Sequence, residues 1–309
     1  MNKSMYRITK YTLVVAAMTA ILTSCHYKEF DEFAPKYKTR IIADYSLLGY
    51  DHQYTNMRTV LFPLTAEMDY PYQVDVHDTT IVSVPEGEYR VLAFSNEGTH
   101  ETYSFDGYSP YSASISAIHA NTEGLPDTLK NVYDYPDRIC TFDSTGINVV
   151  KDDLRPDWSL NDIFLHPQEI TRQVRIHLYG IKHPEKAEKI RFTLDNLPIA
   201  YRVGYHEPSD SLCTMIVKGS RDFSEHSLFY GNMNVFGTGG DIHHVNALIE
   251  GPGFKIIMNF DVTEQIKRQA NKQDIVLELY TSHDLYDDIP SGFKVDVNDW
   301  NDNEVIINM

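Results

Sequence analysis

The chain is short of cysteine, tryptophan and positive charge. Its 309 residues hold 3 Cys and 2 Trp, with 27 Lys+Arg against 44 Asp+Glu, a formal net charge of −17. Nucleic-acid binding depends on Lys and Arg displacing the counterions of phosphates, so this balance excludes nucleic acid as a partner. The three cysteines have no CxxC or Cys/His spacing, which argues against a structural zinc site. No Gly-x-Ser-x-Gly elbow, His-Glu-x-x-His pair or Gly-x-x-x-x-Gly-Lys loop occurs, so neither catalysis nor a cofactor is expected. Phe236-Gly-Thr-Gly-Gly240 lacks the glycine spacing and helix of a dinucleotide site and reads as a hairpin loop. Beyond residues 11–22, no stretch approaches the roughly 20 apolar residues of a membrane-crossing helix. With 42% hydrophobic residues the chain is still apolar enough to fold around a core.

The first 25 residues look like an export signal. Lys3, Arg7 and Lys10 precede an apolar run from Tyr11 to Leu22, which is too short to span a bilayer. The run ends in Leu22-Thr23-Ser24-Cys25, which resembles a bacterial lipobox, an aliphatic residue and two small ones before a cysteine that becomes the acylated N-terminus. Residues 1–24 are therefore expected to be removed as a lipoprotein signal peptide. That takes away three basic residues and no acid, leaving 24 basic against 44 acidic side chains and a charge of −20. Residues 25–36 read as a lipidated linker whose acyl chains, palmitate among them, hold the protein to the outer membrane. The stretch His26-Tyr-Lys-Glu-Phe-Asp-Glu32 is either a surface-export tag or a solvated acidic linker.

Other polar clusters support no site on sequence grounds. Cys140 and Cys213 are 73 positions apart and are compatible with either a disulfide or two free thiols. His243 and His244 are adjacent, so in a strand they point to opposite faces and cannot share a metal. Asp284, Asp287, Asp288, Asp296, Asn298, Asp299, Asn301 and Asp302 could ligate calcium. Trp300 breaks the EF-hand spacing, however, and a solvated surface is the better reading.

Period-two alternation dominates the body. Gln73–His77, Val174–Leu178 and Ile190–Leu194 each read as a half-buried strand, as do Lys38–Tyr45, Thr59–Leu64, Tyr89–Phe94, Phe254–Val262, Ile275–Tyr280 and Phe293–Val297. Pro85-Glu86-Gly87-Glu88 is a turn between two of these strands. The clearest helix follows Asp261-Val-Thr-Glu264, capped by Asp261 or Thr263 and running to Ala270. Residues 113–123 are either a short helix or a loop. The fold is therefore expected to be all-β, with antiparallel sheets packed face to face. Pro156 and Pro167 interrupt the patterning, which suggests β-sandwich domains at 37–160 and 166–309. Between strands, residues 97–139 set Tyr103, Phe105, Tyr108, Tyr111, Tyr133 and Tyr135 among Ser, Gly, Asp and Pro, as suits an ordered surface loop.

Taken together, the lipobox, the Pro85–Phe94 turn and strand, Arg172–Leu178 and the ending Gly292–Trp300 resemble the fimbrillin-like lipoproteins of Bacteroidales, among them the anchor and accessory subunits of type V pili. The resemblance implies two tandem transthyretin-like β-sandwiches that join fimbrillin-like subunits by donor-strand exchange. It also offers Arg40 as a processing site, since main-pilus subunits of the family are cut after an early Arg. As a bare residue, Arg40 reads better as an outward-facing strand position. Asn303–Met309 is either a donor strand or, preferably, the last strand of its own sandwich. The resulting expectation is a surface-exposed outer-membrane subunit of a fimbria, contributing to adhesion. The alternative is a surface glycan-binding lipoprotein whose tyrosines at 103–135 stack on sugars, although those rings suit the capping of a sandwich end better.

Overall fold

A computed structural model describes residues 36–48, 54–65, 71–95, 103–106, 109–123, 125, 129, 131–150, 160–222 and 228–286. Within them the chain is all-β. Its strands are β1 (Lys36–Ala43), β2 (Asn56–Pro63), β3 (Tyr72–His77), β4 (Thr79–Pro85), β5 (Gly87–Ser95), β6 (Tyr103–Asp106), β7 (Ser114–Ala117) and β8 (Val132–Asp134). These are followed by β9 (Cys140–Val149), β10 (Leu160–Leu165), β11 (Gln168–Glu169), β12 (Arg172–Tyr179), β13 (Lys189–Pro198), β14 (Ala200–Arg202) and β15 (Glu207–Pro208). The last are β16 (Leu212–Lys218), β17 (Ser220–Asp222), β18 (Leu228–Val235), β19 (His244–Gly251), β20 (Phe254–Asp261) and β21 (Asp274–Tyr280). Among the described residues one α-helix, Thr263–Gln269, crosses from β20 to β21. No described helix is long and apolar enough to cross a membrane.

The strands form five sheets. Sheet I (β10-β1-β4) faces sheet II (β11-β9-β5-β2-β3) across a core that includes Ile41, Met57, Leu61, Tyr89, Val91 and Cys140. Sheet IV (β17-β18-β12-β21) faces sheet V (β20-β19-β13-β16-β8) around Val174, Ile176, Leu178, Phe192, Phe229 and Met258. Val174, Ile176 and Leu178 follow the predicted alternation: this apolar face is buried, and the intervening Arg175 and His177 are partly exposed. The sheets are not purely antiparallel as expected: β1 with β10, β12 with β21 and β8 with β16 run parallel. In each case the second strand arrives through a long connection, which parallel pairing requires.

Sheet III (β15-β14-β7-β6) joins the two halves. It corrects two expectations. Residues 113–123 contain a strand, Ser114–Ala117, where a helix or loop was expected, and the described part of 97–139 supplies three strands where a surface loop was expected. β7 pairs with β14, and β8 pairs with β16, so this early segment contributes its strands to sheets of the second half. Ala113, Ile115 and Ala117 thereby cover Val60, Phe62, Leu92 and Phe94 on the outer face of sheet II, all within the large core. β2 and β5 are thus buried on both faces, contrary to the half-buried pattern expected of them. Burying a second face adds roughly 1.5–3 kcal/mol for each large apolar side chain covered.

Candidate interaction surfaces

The joint between the halves is polar at its centre. The β5–β9 register shifts between Tyr89 and Val91, an irregularity of the kind that re-aims a side chain. Arg90 donates from Nε to Asp143 Oδ1 at 2.9 Å and from Nη2 to Oδ2 at 2.6 Å, and both side chains are only 6% exposed. Nη2 also donates to the Gly204 carbonyl at 2.7 Å, in the turn between β14 and β15. The Tyr111 ring lies 5.0 Å from the guanidinium carbon, and His206 Nε2 lies 3.1 Å from Asp143 Oδ2. Residue 204 must be glycine here, because a Cβ would stand 2.0 Å from the Pro110 carbonyl oxygen. One cation therefore ties sheet II to a turn 114 residues away in sequence.

Strand edges are the other surfaces of interest in an all-β protein, since their outward amides and carbonyls can template a partner strand. β21 ends sheet IV, but its edge is closed by the helix beside it. Gln269 donates to the Val276 carbonyl (2.8 Å) and accepts from the Val276 amide (3.0 Å). Gln265, one turn earlier, does the same to Glu278 at 2.8 and 2.9 Å. Two carboxamides four residues apart thus act as a substitute strand. β20, at the edge of sheet V, has eight residues and is the longest edge strand among the described residues. Ile256, Ile257 and Met258 on it are buried.

Arg40 lies on β1, the middle strand of sheet I, directly opposite Asp162 of β10. Its Nε and Nη2 bond the Asp162 carboxylate at 2.9 and 2.6 Å, on a half-exposed face. This pairing holds the guanidinium above its ordinary pKa. Residues Lys36–Arg40 fill the space between β10 and β4.

The remaining predicted site residues do not converge. Cys25 and Tyr108 lie outside the described residues, as do the side chains of Tyr103 and Phe105, whose backbones form β6. Tyr111 sits at the joint, 61% exposed. Tyr133 stacks on His119 at 4.2 Å, while Tyr135 packs half-buried against the large core. Cys140 and Cys213 form no disulfide and occupy different cores. Burial pushes the Cys213 thiol up to about 12. His243 is buried and His244 pairs with Asp195 at 3.2 Å. Of the acid-rich end, only Asp284 is described, and Phe293–Val297 and Asn303–Met309 lie beyond the described residues. No group of three or more potential metal ligands occurs among the described residues.

Sequence reasoning missed Arg90 and the two glutamines. A charge inside Tyr89-Arg-Val-Leu-Ala-Phe94 was the available signal, because such a strand buries Arg only when it is paired. Gln265 and Gln269 also share a helix face, but nothing in the sequence says what that face meets.

The profile of a family described as a domain of unknown function, DUF5119, matches residues 24–218. No curated protein matches the sequence. The fold is similar to that of a candidate adhesin from Bacteroides ovatus ATCC 8483, with a TM-score of 0.64 at 13% identity, covering 83% of this chain and 95% of that one. It is also similar to the fimbrial anchor protein Mfa2 from Porphyromonas gingivalis, with a TM-score of 0.52 at 12% identity, covering 88% of this chain and 95% of that one. At these identities the likeness is one of fold.

Proposed function

The chain belongs to the DUF5119 family, and we propose that it is a non-enzymatic, surface-exposed outer-membrane lipoprotein acting as an anchor or accessory subunit of a fimbria. Cys25 carries the acyl chains, and fimbrillin-like subunits join the body by β-strand exchange and contribute to adhesion. The supporting observation is the likeness in fold to a fimbrial anchor over 88% of the chain, combined with the Leu22–Cys25 motif.

The edges fit such a role. The β21 edge is closed against strand addition, while β20, eight residues long, ends sheet V. While Cys25 tethers the chain, β1 stays between β10 and β4, and its slot is filled by the chain itself. Cleavage after Arg40 would take Lys36–Arg40 out of that slot and leave Ile41–Ala43, but it would also cut the tether. Lipid anchoring and Arg40 processing are therefore alternatives for any one molecule, and we assign the anchored form.

Mass spectrometry of the mature protein from washed outer membranes decides between them. A chain beginning at acylated Cys25, co-purifying with fimbrillin-like subunits in a denaturant-resistant ladder, is the expected result. A chain beginning at Ile41 would make it a shaft subunit, and an unacylated chain without such partners would remove the fimbrial role.

A further inference from the structure

A two-lobed cleft lies on the outer side of sheet V, away from the joint and from the strand edges discussed above. One lobe has a volume of about 650 Å³ and the other of about 840 Å³, and Lys189, Arg191 and Lys218 line both. Each lobe falls in the usual size range of small-ligand sites, about 300–1,000 Å³. Arg191 and Lys218 are direct cross-strand partners of β13 and β16. Like charges placed opposite each other in a sheet are destabilising. The arrangement is more notable in a chain with 27 basic and 44 acidic residues. Arg191 is partly neutralised by Glu250, which also attracts Lys255 at 3.5 Å. Neither Lys189 nor Lys218 closes a salt bridge with a described residue.

The larger lobe is also lined by Asn121, Glu123, Asp134 and Asp137 and by the half-buried ring of Tyr135. Burial raises the Asp134 carboxyl above its ordinary value, although Lys218 pulls the other way. Three cations, several hydrogen-bond acceptors and an aromatic ring lining one cleft make a mixed chemistry that selects among anions. A polyphosphate or an acidic peptide satisfies the lysines but meets three carboxylates with its own charge. A neutral sugar satisfies the acceptors and leaves the lysines unused. A sugar bearing both hydroxyl donors and a carboxylate or sulfate satisfies both sides, with its ring against Tyr135.

We propose that this cleft binds an acidic glycan, with Lys189, Arg191 and Lys218 holding the anionic groups and Asp134, Asp137 and Glu123 accepting from hydroxyls. The site is separate from the β20 and β21 edges and does not depend on the fimbrial role.

The test is calorimetric titration of the full chain in detergent with oligogalacturonate (carboxylated) and heparin-derived oligosaccharide (sulfated). Linear polyphosphate, poly-glutamate and a neutral cello-oligosaccharide serve as comparison probes. Binding of at least one acidic glycan is expected, weakened about ten-fold by Lys218→Gln and further by Lys189→Gln/Lys218→Gln, because lost charge-assisted contacts act on affinity directly. Lys38→Gln, on β1, should leave it unchanged, and near-ultraviolet circular dichroism of each variant verifies the fold. Preference for the carboxylated or the sulfated probe identifies the anionic group. Equal binding of polyphosphate or poly-glutamate would reduce the cleft to a charge patch, undiminished binding of the neutral probe would remove the role of the lysines, and no binding by any probe would overturn the proposal.

Discussion

Arg90 and Asp143 form a two-pronged ion pair between neighbouring strands, with both side chains 6% exposed and a third bond from Arg90 to the carbonyl of Gly204. Desolvating two charges is costly, and their attraction offsets that cost only while both partners stay in place.

The first expected outcome concerns this pair. Arg90→Ala leaves Asp143 buried with only the half-exposed His206 nearby, and removing one partner of a buried pair costs about 3–5 kcal/mol. Urea unfolding should show that loss. Because Arg90 also holds the Gly204 turn, the variant should unfold in two steps where the parent unfolds in one. Arg90→Met/Asp143→Leu, which removes both charges, should recover most of the stability but not the link to Gly204. A single Arg90 variant that unfolds like the parent would rule out this account of the joint.

Gln265 and Gln269 give the second. Gln265→Ala/Gln269→Ala removes four bonds to Val276 and Glu278 and exposes the β21 edge. At about 0.5–1.5 kcal/mol per net hydrogen bond, the monomer should lose a few kcal/mol. The more specific effect is self-association: light scattering across a concentration series should show dimers or larger species absent from the parent, since an uncovered edge pairs with another chain. Destabilisation without association would mean that something other than the glutamines protects the edge.

Thiol chemistry supplies the third. Cys140 and Cys213 are buried in separate cores and unbridged, and the Cys213 thiol is pushed up to about 12. Little thiolate is present at pH 8, so native protein should label with iodoacetamide slowly, while the unfolded chain labels fast. Mature protein acylated at Cys25 should yield two thiols on denaturation without reductant. Three thiols would argue against acylation, and none would mean that Cys140 and Cys213 are oxidised.

Much of the strand content could be read from the sequence where one face of a sheet is wet. Val174, Ile176 and Leu178 alternate with Arg175 and His177, and the structure buries the first set alone. The same reasoning failed for Tyr89–Phe94, whose second face is covered by residues 113–117, a contact that no local pattern encodes. Ser114–Ala117 and Val132–Asp134 have four and three residues, too few to show a period, and their partners lie far along the chain in β14 and β16. At the candidate surfaces, residue type was informative where it breaks a local rule, as at Arg90. It was silent where the chemistry is between side chain and backbone, as at Gln265 and Gln269. The tyrosines of 103–135 looked alike in sequence, but the fold sends Tyr111 to the joint and Tyr135 to the cleft.

Two carboxylates should respond to pH in opposite directions. The Thr263 side chain, followed by the Thr263 amide that donates to Asp261 Oδ1 at 2.9 Å, holds the Asp261 carboxyl below the ordinary value of about 4. Its contribution is present above the unfolded-state pKa and is lost as pH falls through the lower folded value, so Asp261→Asn should flatten the acid side of the stability curve. Asp134 is raised by burial, so the folded state binds its proton more tightly, and stability declines as pH rises from the unfolded pKa through the folded one. Asp134→Asn should therefore leave stability unchanged near pH 3 and raise it at pH 7, as denaturant titrations at both pH values would reveal. A partly desolvated carboxylate that weakens the fold at neutral pH, in a cleft whose lysines close no salt bridge with a described residue, suits a binding role better than a structural one. The same substitution should accordingly weaken acidic-glycan binding while strengthening the fold. A variant that gains stability and keeps full affinity would remove Asp134 from the binding surface.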